Sequence, residues 1–143
     1  MSLDRAYEAD NVFARIIKGE LPAAKIYEDD AVLAFMDAYP QTEGHCLVIP
    51  KDVRAVNLLD LPTEALHRVI AKVQVIAGAV VDALSPSGFR IVQFNGAAAG
   101  QSVFHTHFHI IPAYKDRDDR PHGSDPVPLQ QLEETAALIR TRL

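Results

Sequence analysis

Cysteine occurs once in the 143 residues, at Cys46, so no intrachain disulfide can form. Its setting in His-Cys-Leu-Val-Ile-Pro (45–50) marks it as a buried small hydrophobe, not a reactive thiol. No apolar run approaches the ~18–20 residues that span a bilayer, so no membrane association is expected. The first ten residues carry no hydrophobic stretch of the secretory kind, and a cytoplasmic location is the expectation. Positive charge is scarce: 14 Lys and Arg stand against 19 Asp and Glu, a net charge of −5. With no long basic run to offset that balance, nucleic acid is not an expected partner, although a local pocket can still hold a phosphate. The chain has no internal repeat and no boundary that would divide it. A flexible polar N-terminus over 1–9 and one domain over 10–143 are expected.

What is present reads as short strands around one long helix. Asp10 is placed to cap a short helix through Val12, Phe13, Ile16 and Ile17, with Gly19 as its stop. Lys25–Glu28 and Val32–Met36 read as strands parted by the turn pair Asp29-Asp30, and His45–Pro50 as a third strand. From Pro62 to Leu84 the apolar residues Leu66, Val69, Ile70, Val73, Ile76, Ala77, Val80 and Leu84 recur at helical spacing, and Ser85-Pro-Ser-Gly88 ends the run. Phe89–Phe94 and Phe104–Pro112 read as a fourth and a fifth strand, joined by a Gly/Ala-rich loop. A charged, proline-containing stretch leads to a terminal amphipathic helix marked by Leu129, Leu132, Ala136, Ile139 and Leu143. The fold class expected is α+β: a mainly antiparallel five-stranded sheet, one long helix and shorter terminal helices.

The most informative stretch is His105-Thr-His-Phe-His-Ile-Ile-Pro112. On a strand its three histidines would share one face, neighbouring rings ~6.6 Å apart, with Thr106, Phe108 and Ile110 turned into the core. Imidazole titrates near neutrality and serves as nucleophile, proton carrier or metal ligand, so the row reads as a reaction site or a metal site. A neutral imidazole can attack phosphorus while a second one holds a proton beside the developing anion. The loop before the row, Asn95-Gly-Ala-Ala-Ala-Gly-Gln-Ser102, supplies small residues that let backbone N–H groups approach an anion, together with polar side chains. The rival metal reading needs a further carboxylate or histidine and leaves that loop unexplained.

The row matches the pattern His-φ-His-φ-His-φ-φ, φ being usually hydrophobic, and so resembles the histidine-triad (HIT) nucleotide hydrolases and transferases. Thr106 is a mild departure from it. Gly100–Phe104, Ile16–Pro22, Tyr27–Asp30, Ala34–Asp37 and Gly44–Lys51 resemble that family in order and spacing, over roughly residues 10 to 112. The resemblance implies that His107 is the nucleophile, that His109 contacts phosphate oxygens, that His105 orients His107, and that His45 is a fourth histidine from a neighbouring strand. It further implies contacts to phosphate or leaving group from Gln101, Ser102 and Asn95, ribose binding by Asp37, and walls around the base from Val12, Phe13, Ile16 and Phe35.

The intact His109 favours hydrolysis over transfer, since the family's transferase branch carries glutamine there. Some bacterial members hold a structural zinc through Cys-x-x-Cys in the first helix. The matching positions here are Asn11 and Ala14, so neither that metal nor any other cofactor is expected. The implied protein is a homodimer whose sheets meet side by side. It would act on a purine nucleoside phosphoramidate or related adenylate, with dinucleoside polyphosphate hydrolysis, or nucleotide binding with vestigial hydrolysis, as alternatives. His67 and His122 are read as surface histidines, and the pairs Asp29-Asp30 and Asp118-Asp119 as solvated turns.

Overall fold

Backbone polarity and the placement of apolar residues account for each element of the computed structural model, which describes residues 3, 6–121 and 125–143. Helix α1 spans Val12–Ile17, and the side chain of Asn11, not Asp10, caps it by accepting from the Ala14 amide at 2.9 Å. Strands β1 (Lys25–Glu28) and β2 (Val32–Met36) form the expected hairpin. Its turn is fixed by Asp29, whose Oδ1 accepts from the amides of Ala31 and Val32, both at 2.8 Å. Strand β3 (Cys46–Pro50), helix α2 (Thr63–Leu84), strands β4 (Gly88–Val92) and β5 (Phe108–Ala113), and helix α3 (Leu129–Arg140) complete the order. Helix α2 ends where Ser85 turns left-handed at φ 51°, followed by Pro86, which cannot continue it.

The five strands form one sheet in the order β1-β2-β3-β5-β4, every neighbouring pair antiparallel. Alternate residues of the central strands therefore face two different layers. Val32, Ala34, Cys46, Val48, Phe108 and Ile110 pack against Val69, Val73, Ile76 and Val80 of α2 and Leu132, Ala136 and Ile139 of α3. Leu33, Phe35, Leu47 and Ile49 point the other way, against Phe13 and Ile16 of α1. Covering both faces explains why β3 reads as an unbroken apolar run instead of alternating.

The structure corrects the sequence reading at β5. The strand begins at Phe108, not Phe104, and pairs with β3 only through Phe108, His109 and Ile110. His105 and His107 precede it, because the Thr106 amide donates to Ala55 O at 2.8 Å, outside any ladder. Gly44 at φ +91° lets the chain enter β3 beside α2, where a Cβ would collide with the Leu84 side chain. His122 lies outside the described residues, and the exposed His67 stands on α2. No helix among the described residues is long and apolar enough to cross a membrane.

The fully buried Ile139 makes α3 part of the core. Ile139→Ala should lower the unfolding free energy by about 2–5 kcal/mol in urea titrations. An unchanged midpoint would show that α3 is not integral.

Candidate active site

Four histidines gather along the short β3–β5 ladder, on the α1 side of the sheet. Each is fixed by a bond whose chemistry sets where its proton lies. The Nε2 of His105 lies 2.8 Å from the Pro50 carbonyl oxygen, which can only accept, so Nε2 carries the proton. The Nδ1 of His107 lies 2.7 Å from the His105 carbonyl oxygen. That ring therefore holds its proton on Nδ1 and keeps the Nε2 lone pair free of it. The Gln41 amide donates to His45 Nδ1 at 3.0 Å, which leaves the His45 proton on Nε2. That proton faces His109 Nδ1 at 2.9 Å, with Asp37 Oδ2 3.3 Å from the same His45 nitrogen. His109 accepts at Nδ1, so its own N–H stands at Nε2.

The rings of His107 and His109 are 5.0 Å apart, closer than strand alternation alone would place them, because His107 lies outside the ladder. Phe13 meets His107 edge-on at 4.9 Å and Phe35 at 5.4 Å, so α1 fixes one wall of the site.

A cavity of about 400 Å³ opens beside these rings. Of the residues expected in a site, Val12, Phe13, Ile16, Phe35, Asp37, Ser102, His107 and His109 line it. His45 and His105 are fully buried behind this lining and act on it only through their neighbours. Gln101 and Asn95 are placed differently from the expected phosphate contacts. Gln101 Oε1 accepts from the Gly96 amide and its Nε2 donates to the carbonyls of Val56 and Val103, so its amide braces the loop. Asn95 Oδ1 accepts from the Leu58 amide, and its Nδ2 donates to Gln93 Oε1. Asp37, the residue expected to bind ribose, lines the cavity, accepting from the Tyr39 amide at 2.8 Å with one oxygen while the other faces His45.

Several contributors were not foreseen. Leu129 and Leu132 of α3 also line the cavity, although their helical spacing had marked them only for packing. Tyr7, in the segment expected to be frayed, places its hydroxyl 2.7 Å from His105 Nδ1.

One donor atom each from Asp37, His45 and His109 lies within 4.8 Å of the others. Two nitrogens bonded to a tetrahedral zinc at ~2.0–2.1 Å stand about 3.3 Å apart. The 2.9 Å between His45 and His109 is instead the length of a hydrogen bond.

An unprotonated imidazole nitrogen at the wall of a cavity, beside a second imidazole presenting N–H, is an arrangement with the chemistry for nucleophilic group transfer. Residues 18–116 match the family model of the HIT domain. Protein hit of Bacillus subtilis (strain 168) is 40% identical over 137 residues, which cover 92% of this chain and 93% of that protein. The adenylylsulfatase HINT3 of Arabidopsis thaliana is 45% identical over 109 residues, 76% of this chain and 54% of that protein, so the chain spans about half of its length. The crystal structure of a Hit-like protein involved in cell-cycle regulation from Bartonella henselae superposes with a TM-score of 0.91 at 47% identity, covering 97% of this chain and 100% of that one. A zinc-bound histidine triad family protein from Mycobacterium smegmatis superposes with a TM-score of 0.79 at 36% identity, covering 93% and 92%. This chain belongs to the HIT family, whose members bind or hydrolyse nucleotides. The Cys-x-x-Cys zinc site that the resemblance implies for some members does not fit the residues here, where Asn11 and Ala14 stand at those positions. Asn11 is occupied in capping α1, and both ring nitrogens of His105 are hydrogen-bonded.

Burial pushes the pKa of His105 down to about 4, against a smaller upward pull from its bond to Pro50. A base whose folded pKa is depressed below its unfolded ~6.5 stabilises the fold above that value and loses the contribution as pH falls. Between about pH 6.5 and 4, urea stability should fall more steeply in the wild type than in His105→Gln, by a difference on the order of 3 kcal/mol. Parallel pH profiles would contradict a neutral, buried His105.

Proposed function

We propose that this protein is a nucleotide hydrolase that cleaves a nucleoside 5′-phosphoramidate or related adenylate at the α-phosphorus through a covalent nucleotidyl-histidine on His107. The observation that carries this reading is the Nδ1 proton of His107, held by the His105 carbonyl at 2.7 Å, which leaves Nε2 as the nucleophile. The apolar part of the cavity, from Val12, Phe13, Ile16 and Phe35, suits a purine base, and Asp37 in the same lining suits the ribose hydroxyls. The α-phosphate then lies between His107, His109 and Ser102. Attack by His107 Nε2 forms the N–P bond as the bond to the leaving group breaks. The Nε2–H of His109 stabilises the phosphoryl oxygens, while the leaving group takes a proton from solvent and the later attack of water returns one. Water then attacks the nucleotidyl-histidine, releasing a nucleoside monophosphate and restoring His107. The Arabidopsis relative's name adds adenylyl sulfate to the adenylates worth assaying, since sulfate would leave from the same α-phosphorus.

The protein acts in this reading as a cytoplasmic homodimer without a metal cofactor. Strand β4 lies at the sheet edge, and Phe89 and Ile91 on it are 46% and 42% exposed. Together with Ile70 and Gly78 of α2 they border an open apolar hollow. An exposed edge strand carrying such a surface is a ready pairing site for a second copy, sheet beside sheet.

Brief mixing with an adenosine 5′-phosphoramidate should add one adenylyl mass to the peptide that contains His107. His107→Ala should lose both adduct and turnover, and normal turnover in that variant would sink the mechanism. Ratios of kcat/KM for phosphoramidates, adenylyl sulfate and diadenosine polyphosphates would assign the leaving group. In sedimentation velocity, Ile91→Asp should convert a dimer into a monomer. A wild-type protein that sediments as a monomer would remove the dimer from the account.

A further inference from the structure

We propose that Tyr7 is a positioning residue for the reaction, acting on His107 through His105; the inference rests on the covalent reading above. The Tyr7 hydroxyl and His105 Nδ1 are 2.7 Å apart, and their rings meet at 5.5 Å with a tilt of 57°. The opposite nitrogen of that imidazole faces the Pro50 carbonyl at 2.8 Å. The carbonyl accepts a hydrogen bond from Nε2–H, so Nδ1 is a lone pair and Tyr7 is the donor. The ring is thus tethered at both ends, by groups from segments far apart in the chain. On the backbone of the same residue, the His105 carbonyl holds the Nδ1 proton of His107 at 2.7 Å. One residue therefore receives the Tyr7 hydrogen bond on its side chain and orients the nucleophile with its main chain.

The surroundings of Tyr7 support a neutral His105. The charged residues that line the small pocket beside Tyr7 are all cationic, Lys18, Lys51 and Arg54, and the Arg54 guanidinium stands 6.0 Å from the Tyr7 ring centre. No carboxylate among those lining residues draws a proton onto Nδ1. Loss of the Tyr7 hydroxyl leaves a buried acceptor without its partner. The imidazole can then recover a partner only by moving its proton or turning, and either change weakens the bond to Pro50 and shifts the His105 carbonyl. Sub-ångström displacement of a nucleophile is enough to slow attack without altering nucleotide binding.

The test uses the full chain with Tyr7→Phe, which removes only the hydroxyl. Single-turnover formation of the His107 adduct should slow about tenfold, with KM for the phosphoramidate within about twofold of wild type. Nitrogen-15 imidazole spectra should show His105 protonated at Nε2 and bare at Nδ1 in the wild type, and a change in that signature in Tyr7→Phe. Adduct formation at the wild-type rate in Tyr7→Phe would overturn the proposal while leaving covalent catalysis intact. A wild type that forms no adduct would overturn the covalent reading itself. A His105 protonated at Nδ1 in the wild type would overturn the Tyr7 contact without recourse to any variant.

Discussion

The site depends on one hydrogen bond, from Nδ1 of His107 to the carbonyl oxygen of His105 at 2.7 Å. A free imidazole exchanges its proton between two nitrogens, and only one tautomer presents a lone pair to a substrate in the cavity. A backbone carbonyl two residues away selects that tautomer because it can only accept. The rest of the local structure holds this carbonyl still. The Thr106 amide is drawn to Ala55, the Gln101 side chain ties Val56 to Gly96 and Val103, and the His105 ring is anchored to Pro50. Residues that never reach the cavity thereby set the reactivity of the one that does.

The same logic runs through the second pair. The Gln41 amide fixes His45, His45 fixes His109, and the remaining proton of His109 is left on Nε2 at the cavity. Asp37, at the start of the connector that ends in His45, places its Oδ2 3.3 Å from His45 Nε2 and 4.0 Å from His109 Nδ1. The two faces of the sheet divide the labour. One carries most of the apolar packing against α2 and α3, and the other gives its central strands to the histidines and to α1.

Much of this was legible in the sequence, for identifiable reasons. The β1–β2 hairpin could be bounded because Asp29 makes its turn with its own side chain, and α2 because its apolar residues keep helical period over six turns. The grouping of His45 with the triad followed from the family resemblance, and β3 pairs with β5 so that Leu47 stands opposite His109. The start of β5 was misplaced because alternation alone cannot tell a strand from an extended segment whose amide is bonded elsewhere, as that of Thr106 is. The resemblance assigned Gln101 and Asn95 to the phosphate side, and the partners they have in this structure are loop groups that only the folded chain brings near. Tyr7 lay beyond reach because a single tyrosine in a polar segment, 98 residues from its partner, leaves no periodic signal.

The central claim, attack by His107 before water, is tested most directly by the stereochemical course at phosphorus. Hydrolysis of a substrate chiral at the α-phosphorus, made with sulfur in place of one oxygen and run in isotopically labelled water, reports the number of displacements. Two in-line displacements, through a nucleotidyl-histidine, give net retention, which is the predicted result. Net inversion would mean that water attacks phosphorus directly, and would contradict His107 as the nucleophile.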